Sequence, residues 1–152
     1  MQDPDFRYRQ LLDWLRHDLG CQPLDIAPAS ADASFRRYFR IRLEDGTRIV
    51  MDAPPPQENV RPFVAIAGLL REAGVQTPAV HAVDAERGFV LLGDFGDRDY
   101  LRALDDESAE ALYGDALETL LALQRNVVVA TAGLPAYDEA VFRCDALHQE
   151  LV

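Results

Sequence analysis

No lysine occurs among the 152 residues, and all 15 basic residues are arginine. A P-loop needs Gly-Lys-Ser/Thr, so that class of phosphate site is excluded. Schiff-base chemistry on a side-chain amine is excluded with it. Cysteine is nearly absent too. Cys21 and Cys144 stand far apart in no CxxC pattern and read as free thiols rather than as a metal or redox pair. His17, His81 and His148 are scattered, none with a second ligand at metal spacing, so each reads as structural or superficial and no metal site is expected in this chain. No apolar run approaches the roughly 20 residues that cross a bilayer, so no membrane partner is expected. The first twenty residues carry Asp3, Asp5, Asp13 and Asp18 and no uninterrupted apolar core. That argues against a signal peptide and for a cytoplasmic protein. Cations are outnumbered, at a formal net charge of -11. Nucleic-acid binding draws on cations against phosphates, so nucleic acid is not an expected partner either.

What remains is an ordinary globular composition, 49% hydrophobic and 27% charged, long enough for one sizeable core or for a small domain and the start of another. Tyr8, Leu11, Leu12, Leu15 and Leu19 recur at helical spacing, which predicts a packing helix over Asp5 to Leu19 with Gly20 as its stop. Leu24 to Pro28 reads as a short strand. A second helix is expected from Glu58 to Ala73, with Val60, Phe63, Val64, Ala67 and Leu70 as its buried stripe and Gly74 ending it. Two short strands follow, Ala79 to Val83 and Gly88 to Leu92. Asp97 is placed to cap a short helical stretch through Leu104, and Asp105 or Asp106 a long helix to about Arg125. A last helix opens at Tyr137-Asp138 and meets no stop before Val152, which leads us to expect a longer protein. Hairpins come first and helices afterwards, so the class is α+β, with an antiparallel sheet of about five strands.

One stretch, Ser30 to Pro54, holds the features that bear on function. A polar loop, Ser30-Ala31-Asp32-Ala33-Ser34, leads into a strand from Phe35 to Leu43, a turn at Asp45-Gly46 and a return strand ending at Met51-Asp52-Ala53-Pro54. Such a loop on a hairpin is one way to cover a phosphate chain, and it is also an ordinary hairpin. In the first strand, Arg36, Tyr38, Arg40 and Arg42 form a face expected to be wet. Phe35, Phe39, Ile41 and Leu43 form an apolar face interrupted by Arg37. A guanidinium there needs a partner, either a phosphate or an internal carboxylate on Asp52 or Glu58. Arg36 and Arg40 are expected to be solvated.

The residues carry a resemblance. Ala33-Ser34-Phe35-Arg36-Arg37-Tyr38-Phe39-Arg40, Met51-Asp52-Ala53-Pro54-Pro55, Glu58-Asn59-Val60-Arg61-Pro62-Phe63, the strand Gly88 to Gly96 and Pro135-Ala136-Tyr137-Asp138 occur in that order. Together they resemble one branch of the aminoglycoside phosphotransferase-like family. That branch contains bacterial kinases that phosphorylate the anomeric hydroxyl of N-acetylmuramate and N-acetylglucosamine in cell-wall recycling. The resemblance implies a protein-kinase-like small lobe over residues 1–93, then a hinge and the first helices of a large lobe over 94–152. It implies ATP and magnesium as cofactors and an amino sugar as acceptor. The family's catalytic aspartate and magnesium ligands lie in the large lobe, beyond this sequence, so no catalytic residue is assigned here and the chain alone should not catalyse.

The small lobe of this fold holds the nucleotide, and the candidate contacts here are Ser30 and Ser34 on the loop, Arg37, Val50 and Asp52 on the hairpin, and the hinge residues Leu91, Leu92, Gly93 and Asp94. The usual β3 lysine position falls at Met51 or Asp52, and Arg37 is the candidate substitute cation, with the internal pair to Asp52 or Glu58 as its alternative. Asp94-Phe95-Gly96 spells a metal-binding DFG. It follows a strand directly, with no catalytic loop before it, so Asp94 is expected to cap the next turn. The rival is a non-catalytic binding or regulatory module with a kinase small-lobe-like fold, whose helices, including Leu112 to Leu123, dock on a partner. In a fragment of a kinase the same stripe would be exposed.

Overall fold

The computed structural model describes residues 4–31 and 35–126. Helix α1 spans Pro4–Asp13 and runs on as a π-helical turn, Trp14–Asp18. Strands β1 (Asp25–Ala31), β2 (Arg37–Leu43) and β3 (Gly46–Asp52) follow, then α2 (Val60–Glu72), β4 (Val80–Asp84), β5 (Phe89–Gly93), α3 (Tyr100–Ala103) and α4 (Ala109–Asn126). The five strands form one antiparallel sheet in the order β1-β2-β3-β5-β4. This is the α+β, protein-kinase-like small-lobe arrangement that the sequence predicts. The helix expected from Tyr137 lies outside the described residues.

Both faces of the sheet are covered. On one, Leu11, Trp14 and Leu15 pack on Ile41, Val50, Phe89 and Leu91. On the other, Val60 and Phe63 of α2 meet Met51, Val90 and Leu92. Alternation along the strands sends Val50 and Asp52 to the α1 face and Ile49 and Met51 to the α2 face. Strands covered on both sides read as continuous apolar runs. Ile49-Val50-Met51 and Phe89-Val90-Leu91-Leu92 are such runs.

Several boundaries differ from expectation, each for a local reason. β1 continues through Ser30 and Ala31 because they keep pairing with Tyr38 and Arg37. β2 begins at Arg37, with Phe35 exposed before it. α2 begins at Val60 rather than Glu58, with Asn59 as its cap, the Asn59 side chain accepting from the Arg61 N–H at 3.0 Å. Glu58 is instead held by Arg36 at 2.9 Å. Asp99, not Asp97, caps α3. Asp105 accepts from the Ser108 and Glu107 N–H groups and leads into α4. The even-numbered face of β2 is wet only at Arg42, since its earlier residues look toward α2. Tyr38 packs there, and Arg36 and Arg40 are ion-paired rather than solvated.

Candidate functional site

A cleft of about 330 Å³ opens on the α2 face of the sheet, beside the end of β5. Tyr38 and Arg40 from β2, Ile49 from β3 and Phe63 from α2 line its sheet side. Leu92, Gly93 and the turn Asp94-Phe95-Gly96-Asp97 close it. The cleft is largely apolar with a few polar groups at its edge, which is the usual character of a small-molecule site. Gly93 keeps this end of the sheet narrow. Its N–H donates to the Ala79 carbonyl at 2.8 Å, and a Cβ on it would lie 3.2 Å from the Ala79 nitrogen.

Charge at the cleft edge is organised by Arg40. Its Nε and Nη2 donate to the two carboxylate oxygens of Asp94, at 2.7 and 3.1 Å, and its Nη1 donates to Asp97 at 2.6 Å. The Asp94 carboxylate also accepts from the Gly96 N–H at 2.8 Å, so it caps the turn as expected. Burial alone would push the Asp94 carboxyl up. The Arg40 side chain, the Gly96 N–H and the Thr47 hydroxyl outweigh burial and hold it below the usual carboxylate range. No group of three or more His, Cys, Asp or Glu able to hold a metal occurs among the described residues. Asp94 faces a guanidinium and an amide, so this turn does not fit magnesium.

On the opposite face lies a second charged cluster. Asp52 is fully buried and accepts from both Arg7 and Arg37. Arg37 Nε approaches the Asp52 carboxylate at 3.1 Å, and Arg7 also donates to the Arg87 carbonyl at 2.8 Å. The Arg7 guanidinium sits 4.6 Å from the Phe89 ring centre, while its buried Nε has no partner. Of the two alternatives open for Arg37, a phosphate or an internal carboxylate, the structure therefore realises the pair with Asp52.

Leu92, Gly93 and Asp94 come together in the cleft. Val50 and Leu91 point the other way, into the core beneath α1. Arg37 and Asp52 are on that same α1 face, bonded to each other. Ser30 is in β1 opposite Tyr38, and Ser34 lies outside the described residues. Arg40, Tyr38 and Ile49 are not among the site residues that the sequence points to, whereas Phe95, next to the hinge, is placed to pack near the base. The available signal was the doubly apolar β3 and β5, which require a covered α2 face and turn the even residues of β2 toward it.

Residues 25–151 match the phosphotransferase enzyme family. The chain is 49% identical over 150 residues to the N-acetylmuramate/N-acetylglucosamine kinase of Pseudomonas aeruginosa, covering 91% of this chain and 44% of that protein. It is 45% identical over 153 residues to the protein of the same name from Pseudomonas putida, covering 94% of this chain and 44% of the other. With the namesake from Neisseria meningitidis it shares 36% identity over 137 residues. The chain thus spans less than half the length of these curated relatives.

Proposed function

Because the chain belongs to the phosphotransferase enzyme family, we propose that it is the nucleotide-holding part of an ATP-dependent kinase for the anomeric hydroxyl of an N-acetylated amino sugar. Residues 1–93 are the small lobe and residues 94–152 the hinge and the start of the large one. The observation that carries the nucleotide half of this reading is the cleft at the end of β5, where Leu92, Gly93 and Asp94 meet the α2 face of the sheet. The sugar half rests on the relatives' names and on the extent of the identity with them.

Phosphoryl transfer is mostly positioning and charge neutralisation. This chain's share is positioning: an apolar slot for the base, lined by Tyr38, Ile49 and Leu92 on the sheet and by Phe95 on the turn that follows it. Magnesium would supply charge neutralisation at the phosphates; no group among the described residues is arranged to hold it, and its ligands are proposed to lie in the length that the relatives have beyond the match. Ser30 and Ser34, which bracket the β1–β2 connection in sequence, are the proposed phosphate-side contacts, while Arg37 is engaged by Asp52 on the α1 face. Val50 and Leu91 then support the slot from behind. No helix among the described residues is long and apolar enough to cross a membrane, which is compatible with a cytoplasmic kinase.

The exposed apolar side chains fit the same reading. Leu101 is 87% exposed, and Tyr113, Leu117, Leu120 and Leu121 of α4 stand open to solvent. A patch of this kind marks a surface meant to be covered, here by the rest of the large lobe. The reading is tested by activity. Given ATP, magnesium and either sugar, the 152-residue chain alone forms no sugar phosphate. Joined to the further length its relatives possess, it forms the sugar 1-phosphate, seen as loss of reducing-sugar signal. Turnover by the chain alone, or transfer to another hydroxyl, would contradict it.

A further inference from the structure

Arg40 is the one cation lining the cleft among the described residues. A lone arginine beside a nucleotide invites assignment as a phosphate ligand, but its bonds say otherwise. Two of its nitrogens are engaged by Asp94, whose side chain is only 4% exposed, in a two-point contact that a planar guanidinium makes and an ammonium does not. The third is engaged by Asp97, whose side chain is 74% exposed. The strand that carries Arg40 is central in the β1-β2-β3 hairpins, paired to Ala27 on one side and Ile49 on the other. The turn it grips is open by contrast. Phe95 is 59% exposed, and nothing lies within 4 Å of where a Gly96 Cβ would be. Arg40, helped by Thr47, is what ties that turn to the sheet.

We propose that Arg40 is a positioning residue for the base of the nucleotide: it splints the 94–97 turn to β2 and so holds Phe95 beside the sheet residues Tyr38, Ile49 and Leu92. This rests on reading the cleft as the nucleotide site. It assigns Arg40 to the base end and not to the phosphates. The Asp94 half of the grip is the fixed one, being buried and bidentate, and the exposed Asp97 half is the weaker.

The test is equilibrium titration of the 152-residue chain with three probes, ATP, adenosine and inorganic tripolyphosphate, each with melting followed in parallel. Arg40→Ala weakens both ATP and adenosine by about tenfold or more, as expected when a slot must be ordered at the moment of binding. It leaves tripolyphosphate affinity within about twofold, since no phosphate contact is lost. Arg40→Lys fails to restore adenosine binding, and Asp97→Ala weakens it less than Arg40→Ala does, since it removes only the exposed contact. Asp94→Asn, which keeps the shape of the cap but weakens the grip, falls between. A parallel loss of tripolyphosphate would make Arg40 a phosphate ligand and overturn the proposal. So would unchanged adenosine binding in a folded Arg40→Ala chain. Failure of the parent chain to bind ATP and adenosine at all would overturn the cleft reading itself, and this inference with it.

Discussion

Asp52→Ala lowers the stability of the chain by about 3–5 kcal/mol, because it strands a buried guanidinium without its counter-charge. Asp52 is fully buried, and Arg7, only 6% exposed, depends on it. The Arg7 Nε is already unpartnered, so little else in that site can compensate. Against a typical total of about 5–15 kcal/mol, such a loss takes much of the folded population. Arg37→Ala costs less, since its side chain is 35% exposed and Arg7 still holds the carboxylate. Replacing the buried pair together, Arg7→Met with Asp52→Leu, recovers much of the loss, as apolar substitutes for buried ion pairs often do. Urea denaturation followed by circular dichroism reads all four chains. An Asp52→Ala chain within about 1 kcal/mol of the parent would mean that the cluster is not what holds α1 to the sheet.

Gly88→Ala is expected to cost about 3 kcal/mol or more, beyond what backbone conformation alone explains. Gly88 has φ +75°, and a Cβ built there would lie 2.0 Å from the Ala53 carbonyl oxygen. The same residue closes the turn before β5 with its N–H on the Asp84 carbonyl, and its own carbonyl accepts from the Ala53 N–H, each at 2.8 Å. The chain after β3 and the start of β5 cannot separate without losing the second of these. Gly20 supplies the control, with φ +65° and nothing within 4 Å of its Cβ position. Gly20→Ala therefore carries only the conformational cost, about 1 kcal/mol. Comparing the two melting curves isolates the close approach, and equal losses would remove it from the explanation.

The order of elements was legible from residues with fixed local meanings. Asp45-Gly46 marked the hairpin, Gly20 and Gly74 the helix ends, and Val60, Phe63 and Ala67 the buried stripe of α2. Arg37 was legible as an anomaly, since a charge on an apolar strand face has to be paired. Its second companion was not. Arg7 lies one helical turn before Leu11 on the same stripe as Leu11 and Leu15, and that spacing signalled burial. Its partner, however, is 45 residues away, and no local rule reaches that far. The cleft was half legible for a related reason. Leu92, Gly93 and Asp94 follow from the end of a strand, but Tyr38, Ile49 and Arg40 enter only because the sheet is covered on both faces. A single strand read by itself offers β2 one wet face. Only beside the doubly apolar β3 and β5 does that face turn inward.

The central claim is that the cleft at the end of β5 holds the base of a nucleotide. An ATP analogue carrying a photoreactive azide on its base tests it most directly, because trypsin, finding no lysine, cuts this chain only after arginine and isolates Gly88–Arg98 as one peptide. That peptide holds Leu92, Gly93, Asp94 and Phe95 together. After irradiation and digestion, mass spectrometry should find the label chiefly on Gly88–Arg98, and unmodified ATP should abolish it while N-acetylglucosamine does not. Label that ATP does not displace, or that falls on Ala103–Arg125 or on the N-terminal helix instead, would contradict the account.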